Sequence, residues 1–342
     1  MLRSDAVPVY LPGAVLRPVE REILYLASLA PSGHNTQPWF VKYIEPFHWI
    51  VCSDRTRWLP VLDPNQRETI LSIGAFLQNL RYAARHFGYS CAMDLSARSN
   101  QDENIAIVQL KPTANLTSYD ISGIKNRRTV RSGYLDDPLR KADVNYLING
   151  EKAFVHFIPC GSREYKWLER YTLEANRIQM LRGPIMEELS AWVRFSSKEI
   201  ERHHDGFTVD SMEINGFEGW YARHFLDKAD VLKSSFAEKS IDKVSDQVSH
   251  SGGWMLITST DESVKKLLEA GMRMQRLFLK VREKGIAMHP MTQILEEPAL
   301  HQSAHRFIKV GHHIQFILRV GYLKKYPPPV SPRRPVETFI KA

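Results

Sequence analysis

Two segments that lie far apart in the chain resemble each other without a gap. Residues 73–88 read IGAFLQNLRYAARHFG, and residues 270–285 read AGMRMQRLFLKVREKG. The shared residues pair Gly74 with Gly271, Gln78 with Gln275, Leu80 with Leu277, and Gly88 with Gly285. Amphipathic helices can resemble one another by chance, but the helical period requires neither the glycines nor the glutamine. The similarity predicts an internal duplication in which one core helix of each half packs, through its glycine, against its counterpart.

The other apolar patterns predict an alternation of helices and short strands. Helices are expected at residues 21–29, 66–87, 119–131, 164–180, 263–284 and 298–310. Strands are expected at residues 40–44, 48–52, 105–110, 154–158, 254–258 and 314–320, and the first two form a hairpin. The pattern indicates a loop at residues 285–293 and an extended, proline-rich tail. Residues 182–250 show no steady period, which is typical of a lid or a surface excursion.

The composition is that of an ordinary globular protein. Its 342 residues, 43% of them hydrophobic, can bury a large core, and no apolar run reaches the roughly 18–20 residues that cross a bilayer. Three widely spaced cysteines favour neither a disulfide framework nor a zinc ribbon, so we expect a reducing cytoplasm. The net charge of +8 favours anionic partners. Because the basic residues lie in short groups, we predict neither a nucleic-acid nor a membrane partner.

The loop APSGHNTQPW, residues 30–39, is the most specific feature of the sequence. Small residues let backbone N–H groups approach a ligand, and Ser32, Asn35 and Gln37 offer a hydroxyl and two amides between two prolines. Such a loop suits the heteroatoms of a planar ring. The same residues would also serve a plain connection from helix to strand, so the loop alone leaves both interpretations open.

A resemblance to a known family decides between these interpretations. The loop is very similar to the flavin-contacting loop of the FMN-dependent nitroreductases, in which P-S-x-x-N-x-Q-P-W precedes a strand. Residues 127–131, RRTVR, resemble the R-x-[ST]-x-[RK] element of that family, whose arginines and hydroxyl hold the phosphate and ring edge. Residues 285–293 resemble the segment that passes over the reactive face of the flavin. Residues 319–335 resemble the terminal strand and basic tail of the family.

The order of these elements resembles a divergent branch of fused pseudo-dimers that includes lid-bearing mycobacterial proteins. In ordinary members the basic element precedes the loop, and each flavin lies at the interface of a homodimer. A fused chain would take the loop from a first half, residues 1–115, and the basic element from a second half, residues 116–342, with 182–250 as a lid or insertion. Neither half repeats the other's element, so we predict one FMN per chain.

The resemblance also implies a fold and an assembly. The fold would be α+β and nitroreductase-like, with two α/β halves that each contain a mostly antiparallel sheet flanked by helices. We predict a monomer built as a fused pseudo-dimer, with a further homodimer as the alternative.

The activity that the resemblance implies is an oxidoreduction. The flavin N5 would accept and return a hydride, so no protein residue is expected to act as a catalytic nucleophile. NADH or NADPH would be the reductant, and a nitroaromatic, a quinone-like compound or a related small molecule the acceptor. The alternative is a protein that binds or sequesters flavin with little or no turnover.

The expected FMN contacts come from four parts of the chain. The basic element would anchor the phosphate and ribityl, the loop would touch the ring, backbone N–H groups near residue 291 would approach N5 or O4, and the tail arginines would favour the anionic reduced flavin. These contacts are Pro31, Ser32, Gly33, Asn35, Gln37, Arg127, Arg128, Thr129, Arg131, Met291, Thr292, Arg333 and Arg334.

Three other groups of residues could carry chemistry, and each has a simpler interpretation. His301 and His305 have the i, i+4 spacing of metal ligands but no accompanying cysteine or Glu-x-x-His context, so satisfied or surface histidines are favoured. Residues 201–205 are interpreted as a solvated turn. Ser32 and His34 could imitate a nucleophile and its base, but no orienting acid accompanies them.

Overall fold

Two mostly antiparallel sheets and a pair of central helices organise the chain. The computed structural model describes residues 16–114 and 117–341. The strands are β1 (Trp39–Glu45), β2 (His48–Ser53), β3 (Tyr89–Leu95), β4 (Asn104–Pro112), β5 (Val155–Ile158), β6 (Val193–Arg194), β7 (Phe207–Thr208), β8 (Gly253–Ser259), β9 (Ile286–Pro290), β10 (His313–Tyr322) and β11 (Ile340–Lys341).

The helices lie between these strands. They are α1 (Pro18–Ser28), α2 (Arg67–His86), α3 (Ser122–Asn126), α4 (Lys141–Ile148), α5 (Arg163–Met180), α6 (Gly183–Ser190), α7 (Ser197–His203), α8 (Gly216–Phe225), α9 (Ser234–Ser249), α10 (Val264–Glu283), α11 (Gln293–Glu296) and α12 (Pro298–Phe307). Among the residues described, no helix is long and apolar enough to cross a bilayer.

The first sheet joins the two ends of the described chain. Its strand order is β11-β1-β2-β4-β3, and all neighbours are antiparallel except β1 and β11, which are parallel. The hairpin of β1 and β2 places Phe40 opposite Cys52. Because Ile340 of β11 lies beside Val41 of β1, the C-terminal tail must pass close to the loop that precedes β1.

The second sheet is wholly antiparallel, in the order β5-β8-β10-β9. Every residue of β8 is buried, and β10 is buried from Ile314 to Gly321. Such continuous burial is typical of central strands that are covered on both faces. The mixed architecture confirms the α+β class.

The central helices α2 and α10 approach each other at their glycines. A Cβ added to Gly271 would collide with the carbonyl oxygen of Leu71, and one added to Gly74 with that of Leu268. The contact continues where the Gln275 side chain donates a 2.7 Å hydrogen bond to Asn79. The predicted close approach of the two helices is therefore confirmed. The duplication itself stays a prediction, and the boundary predicted at residues 115 and 116 lies outside the described residues.

The structure corrects two of the predicted elements. The helix expected over 119–131 is limited to α3, because the chain turns extended at Arg127 and the arginines that follow bind carbonyl groups of distant segments. The loop expected over 285–293 contains β9, in which Met288 pairs with Val320. The sequence analysis also missed β3 and α4. Elsewhere the predicted helices and strands agree with the observed ones to within a few residues.

The segment 182–250 folds as a small unit with its own apolar cluster. It contains α6 to α9 and the two-stranded parallel pair β6 and β7. Val193, Phe195, Val209 and Val231 are buried in this cluster. We call residues 204–213 of this unit, which include β7 and contact the loop at 30–39 through His204 and Gly206, the inner loop.

We expect Gly271→Ala to lower the free energy of unfolding by about 2–3 kcal/mol, because the added methyl group meets backbone that cannot rotate away. Gly183→Ala is the matched control, since nothing lies within 4 Å of the added Cβ there. Urea denaturation of both variants provides the measurement. Equal stabilities of the two variants would show that the helices do not depend on this close approach.

Candidate functional site

The loop at residues 30–39 has a backbone held in an uncommon conformation. His34, Asn35 and Gln37 have positive φ angles of 46°, 53° and 51°, a conformation that costs a side-chain-bearing residue of order 1 kcal/mol. The Ser32 hydroxyl accepts a 2.9 Å hydrogen bond from the Gln37 N–H and so closes the loop on itself. Contacts from outside the loop must compensate for this strain.

The two amide side chains of the loop provide such contacts. Asn35 donates to the carbonyls of Gly206 and Pro332, both at 3.2 Å. Gln37 donates to the His204 carbonyl at 2.8 Å and accepts from the Arg334 N–H at 2.9 Å. The loop is therefore held between the inner loop and the C-terminal tail.

The basic element at 127–131 contacts the residue that directly precedes the loop. Arg127 donates to the Leu29 carbonyl at 3.1 Å, and Arg333 of the tail donates to the carbonyls of Leu29 and Ala30 at 3.3 and 3.2 Å. Arg333 also donates to the Asn35 side chain at 2.9 Å. The loop and the basic element, nearly a hundred residues apart in sequence, therefore meet. We call this meeting point the junction.

An aromatic ring of the inner loop lies between the two elements. The ring of Phe207 lies 5.1 Å from that of His34, and the guanidinium of Arg131 lies 5.5 Å from the Phe207 ring. Burial and the neighbouring Arg131 lower the pKa of His34 to about 4, so the imidazole is neutral at physiological pH. Ser32 is bonded to Gln37, not to His34, and the two show no nucleophile–base contact.

The junction contains buried donors that the described part of the chain leaves unpaired. They are the Nε atoms of Arg127, Arg128 and Arg333. Burial lowers the pKa of Arg127 to about 10 and that of Arg333 to about 9, so both remain charged near neutrality. Buried cationic donors without acceptors are costly, and a phosphate-bearing group supplies the acceptors that they lack. The residues present therefore fit FMN.

The remaining predicted contacts are placed at the edges of the junction. Thr129 is half-buried beside the arginines. Arg334 donates to the carbonyls of Gln37 and Trp39 at 3.0 and 3.2 Å, so its guanidinium stabilises the loop. The Met291 N–H already donates to the Ile317 carbonyl at 2.8 Å, which leaves Thr292 as the nearer candidate for a ligand contact.

A half-buried pair of carboxyl groups links Thr292 to the loop. Glu68 lies 3.4 Å from the position of a Cβ on Gly33 and 3.3 Å from the Thr292 hydroxyl. The same hydroxyl lies 3.2 Å from Glu296. Burial, followed by the charge of Glu68, raises the pKa of Glu296 well above its ordinary value. The raised pKa favours the protonated form of Glu296, next to the Thr292 hydroxyl.

Two of the secondary candidates have other roles. Asp205 is not part of a solvated turn: it is buried and forms ion pairs of 2.9 Å with Arg57 and 2.8 Å with Arg194. His301 and His305 contact each other at 3.1 Å. Within the described ranges, no group of three or more histidine, cysteine or acidic residues could hold a metal ion.

Sequence reasoning missed Glu68, Phe207 and Glu213, all of which contact predicted site residues. Glu68 is an ordinary first-turn residue of α2. Phe207 and Glu213 belong to a segment without a steady period. The sole sequence signal at Phe207 is the HHDGF stretch at 203–207, whose aspartate and glycine indicate a tight turn but no partner.

Asp63, beside this carboxyl pair, gives a pH prediction. Burial, followed by the charge of Glu68, raises the pKa of Asp63 from 3.8 to about 7. The protonated carboxyl therefore stabilises the fold below pH 3.8, and this contribution is lost as the pH rises through 7. The free energy of unfolding should therefore fall between about pH 5 and pH 8. In Asp63→Asn this fall should be smaller, by about 1 kcal/mol or more, than in the control Asp94→Asn at an exposed site. Urea denaturation at both pH values measures this fall, and identical falls in the two variants would contradict the prediction.

Several known proteins are similar to this chain in sequence. No protein-family model matches the chain. The chain is 24% identical over 291 residues to "Probable NAD(P)H nitroreductase PigM" of Serratia, covering 79% of each protein. It is 24% identical over 330 residues to acg of Mycobacterium tuberculosis, provisionally named an NAD(P)H nitroreductase, covering 93% of this chain and 94% of that one.

Among solved structures, a nitroreductase-like protein from Bacillus cereus aligns with 65% of this chain and 95% of its own, at 15% identity and a TM-score of 0.35. The sequence similarities extend over 79% and 93% of this chain. By these similarities, the chain is a distant relative of proteins named NAD(P)H nitroreductases.

Proposed function

We propose that this chain is an NAD(P)H-dependent FMN oxidoreductase with one flavin site at the junction. Its acceptors would be small nitroaromatic, quinone-like or related compounds. The relatives named NAD(P)H nitroreductases support the reaction class. The observation that carries the proposal is the meeting of the loop and the basic element. Arg127 and Arg333 both donate to the Leu29 carbonyl, and Arg333 also donates to the Asn35 side chain.

The roles of the residues follow from their chemistry. Arg127, Thr129 and Arg131 would hold the phosphate and ribityl, because guanidinium groups and short hydroxyls match phosphate oxygens. Ser32, Gly33 and Asn35 would face the ring. Bound flavin supplies the hydride acceptor and donor of the reaction.

The electrostatic contribution of the chain comes from the tail and the carboxyl pair. Arg333 and Arg334 bring positive charge to the loop, which stabilises negative charge on a bound ring. The carboxyl groups of Glu68 and Glu296 lie next to Gly33 and Thr292, and the raised pKa of Glu296 favours its protonated form. The chain would thus position both charge and protons around one ligand.

A second function, flavin storage, is favoured by the inner loop. Gly206 and His204 accept hydrogen bonds from the two amides of the loop, and Phe207 lies between His34 and Arg131. We propose that residues 182–250 form a lid over the junction. A lid that stays closed would exclude the acceptor, and the protein would then bind flavin with little turnover.

The absorption spectrum of the purified protein, before and after addition of FMN, tests the proposal. We expect a flavin band at about 450 nm that remains after gel filtration and bleaches on anaerobic addition of NADH or NADPH. A retained band that neither nucleotide bleaches would favour storage. Failure to retain FMN at micromolar concentrations would overturn both functions.

The arginine cluster gives a quantitative prediction. Arg131→Ala should weaken binding of FMN to the flavin-free protein about tenfold or more, because a buried charged donor is lost. Arg140→Ala is the control, since its side chain is 76% exposed. Quenching of FMN fluorescence measures both affinities, and urea midpoints verify folding. Equal FMN affinities in the two variants would place the phosphate elsewhere.

A further inference from the structure

Glu213 of the inner loop lies directly on the basic element. Its carboxylate accepts hydrogen bonds from the Arg131 backbone N–H at 3.1 and 3.2 Å and pairs with the Arg128 guanidinium at 3.1 Å. The side chain of Glu213 is 7% exposed. A backbone N–H and a guanidinium are the donors that an R-x-[ST]-x-R element offers to a phosphate, so this carboxylate engages donors of an anion site.

The backbone around Glu213 is constrained to present this carboxylate. Glu213 has a φ angle of 56°, in the left-handed region that is strained for a residue with a side chain. Lys243 donates to the carbonyls of Met212 and Glu213, and Arg131 donates to the Ser211 carbonyl at 2.7 Å. The inner loop is thus fastened at the strained residue and at the two residues before it.

The Glu213 carboxylate does not pair with every hydrogen-bond donor of the guanidinium that it contacts. The Nε atom of Arg128 is buried and unpaired among the described residues, although the guanidinium of the same residue pairs with Glu213. A carboxylate has one negative charge and two oxygens, whereas a phosphate monoester has nearly two charges and three free oxygens. A phosphate therefore matches this cluster better than the carboxylate that now contacts it.

We infer that Glu213 is a specificity-determining residue, an internal carboxylate that occupies the anion subsite of the junction and that a phosphate monoester must displace in order to bind. This inference rests on the proposed function for the identity of the ligand, FMN, but its anion subsite can be tested without flavin. Ligands that bear a phosphate have to displace Glu213, and the free energy of this displacement lowers their affinity. An uncharged flavin such as riboflavin does not compete for the same donors.

Inorganic phosphate is the first probe. In Glu213→Gln, which keeps the shape but removes the charge, phosphate should raise the midpoint of thermal unfolding by about 2 °C or more over sodium chloride of equal ionic strength. The native chain and Glu218→Gln should show a smaller rise. Glu218 is the matched control, because it lies in the same lid with a side chain that is 75% exposed. An equal response of all three proteins would overturn the inference, whether or not the chain binds flavin.

FMN and riboflavin are the second probes, used with the flavin-free proteins. Glu213→Gln should bind FMN about tenfold to a hundredfold more tightly than the native chain, with the riboflavin affinity unchanged. A parallel gain for both flavins would overturn the inference, since Glu213 would then act by opening the lid and not through the phosphate. If phosphate discriminates between the variants but neither flavin binds, the anion subsite is supported and the proposed flavin function fails.

Discussion

The close crossing of α2 and α10 is the constraint on which the rest of the structure depends. Without side chains at Gly74 and Gly271, the two helix backbones pack directly against each other. The N-terminal turn of α2 then brings Glu68 against Gly33, and Thr292, which lies two residues after the end of β9, contacts the same carboxyl group. Glu68 therefore links the loop at residues 30–39 to the segment that follows β9.

Around these two helices, arginine side chains concentrate positive charge near the loop at residues 30–39. Arginines of the basic element and the tail converge on the carbonyls of Leu29 and Ala30, and burial makes each unpaired donor expensive. The inner loop compensates in part, through Glu213 and the ring of Phe207. The contacts of Glu213 therefore link the segment 182–250 electrostatically to the basic element.

The sequence predicted those features that are encoded locally. The hairpin of β1 and β2, the helix pair and its glycines could be found because hydrophobic periodicity and turn residues act over short distances. The residues 127–131 were expected to be helical and are extended, because contacts with residues 29, 213 and 328 outweigh the local helix preference. Glu213 and Phe207 could not be predicted, since their roles arise from contacts about eighty or more residues away.

The decisive measurement is a crystal structure of the chain grown with FMN. We expect one FMN per chain, with its phosphate within hydrogen-bonding distance of the arginines at 127–131 and its ring against residues 32–35. In that complex the Glu213 carboxylate should no longer contact the Arg131 N–H. FMN bound away from the junction would refute the proposed site, and a phosphate that leaves Glu213 in place would refute the displacement.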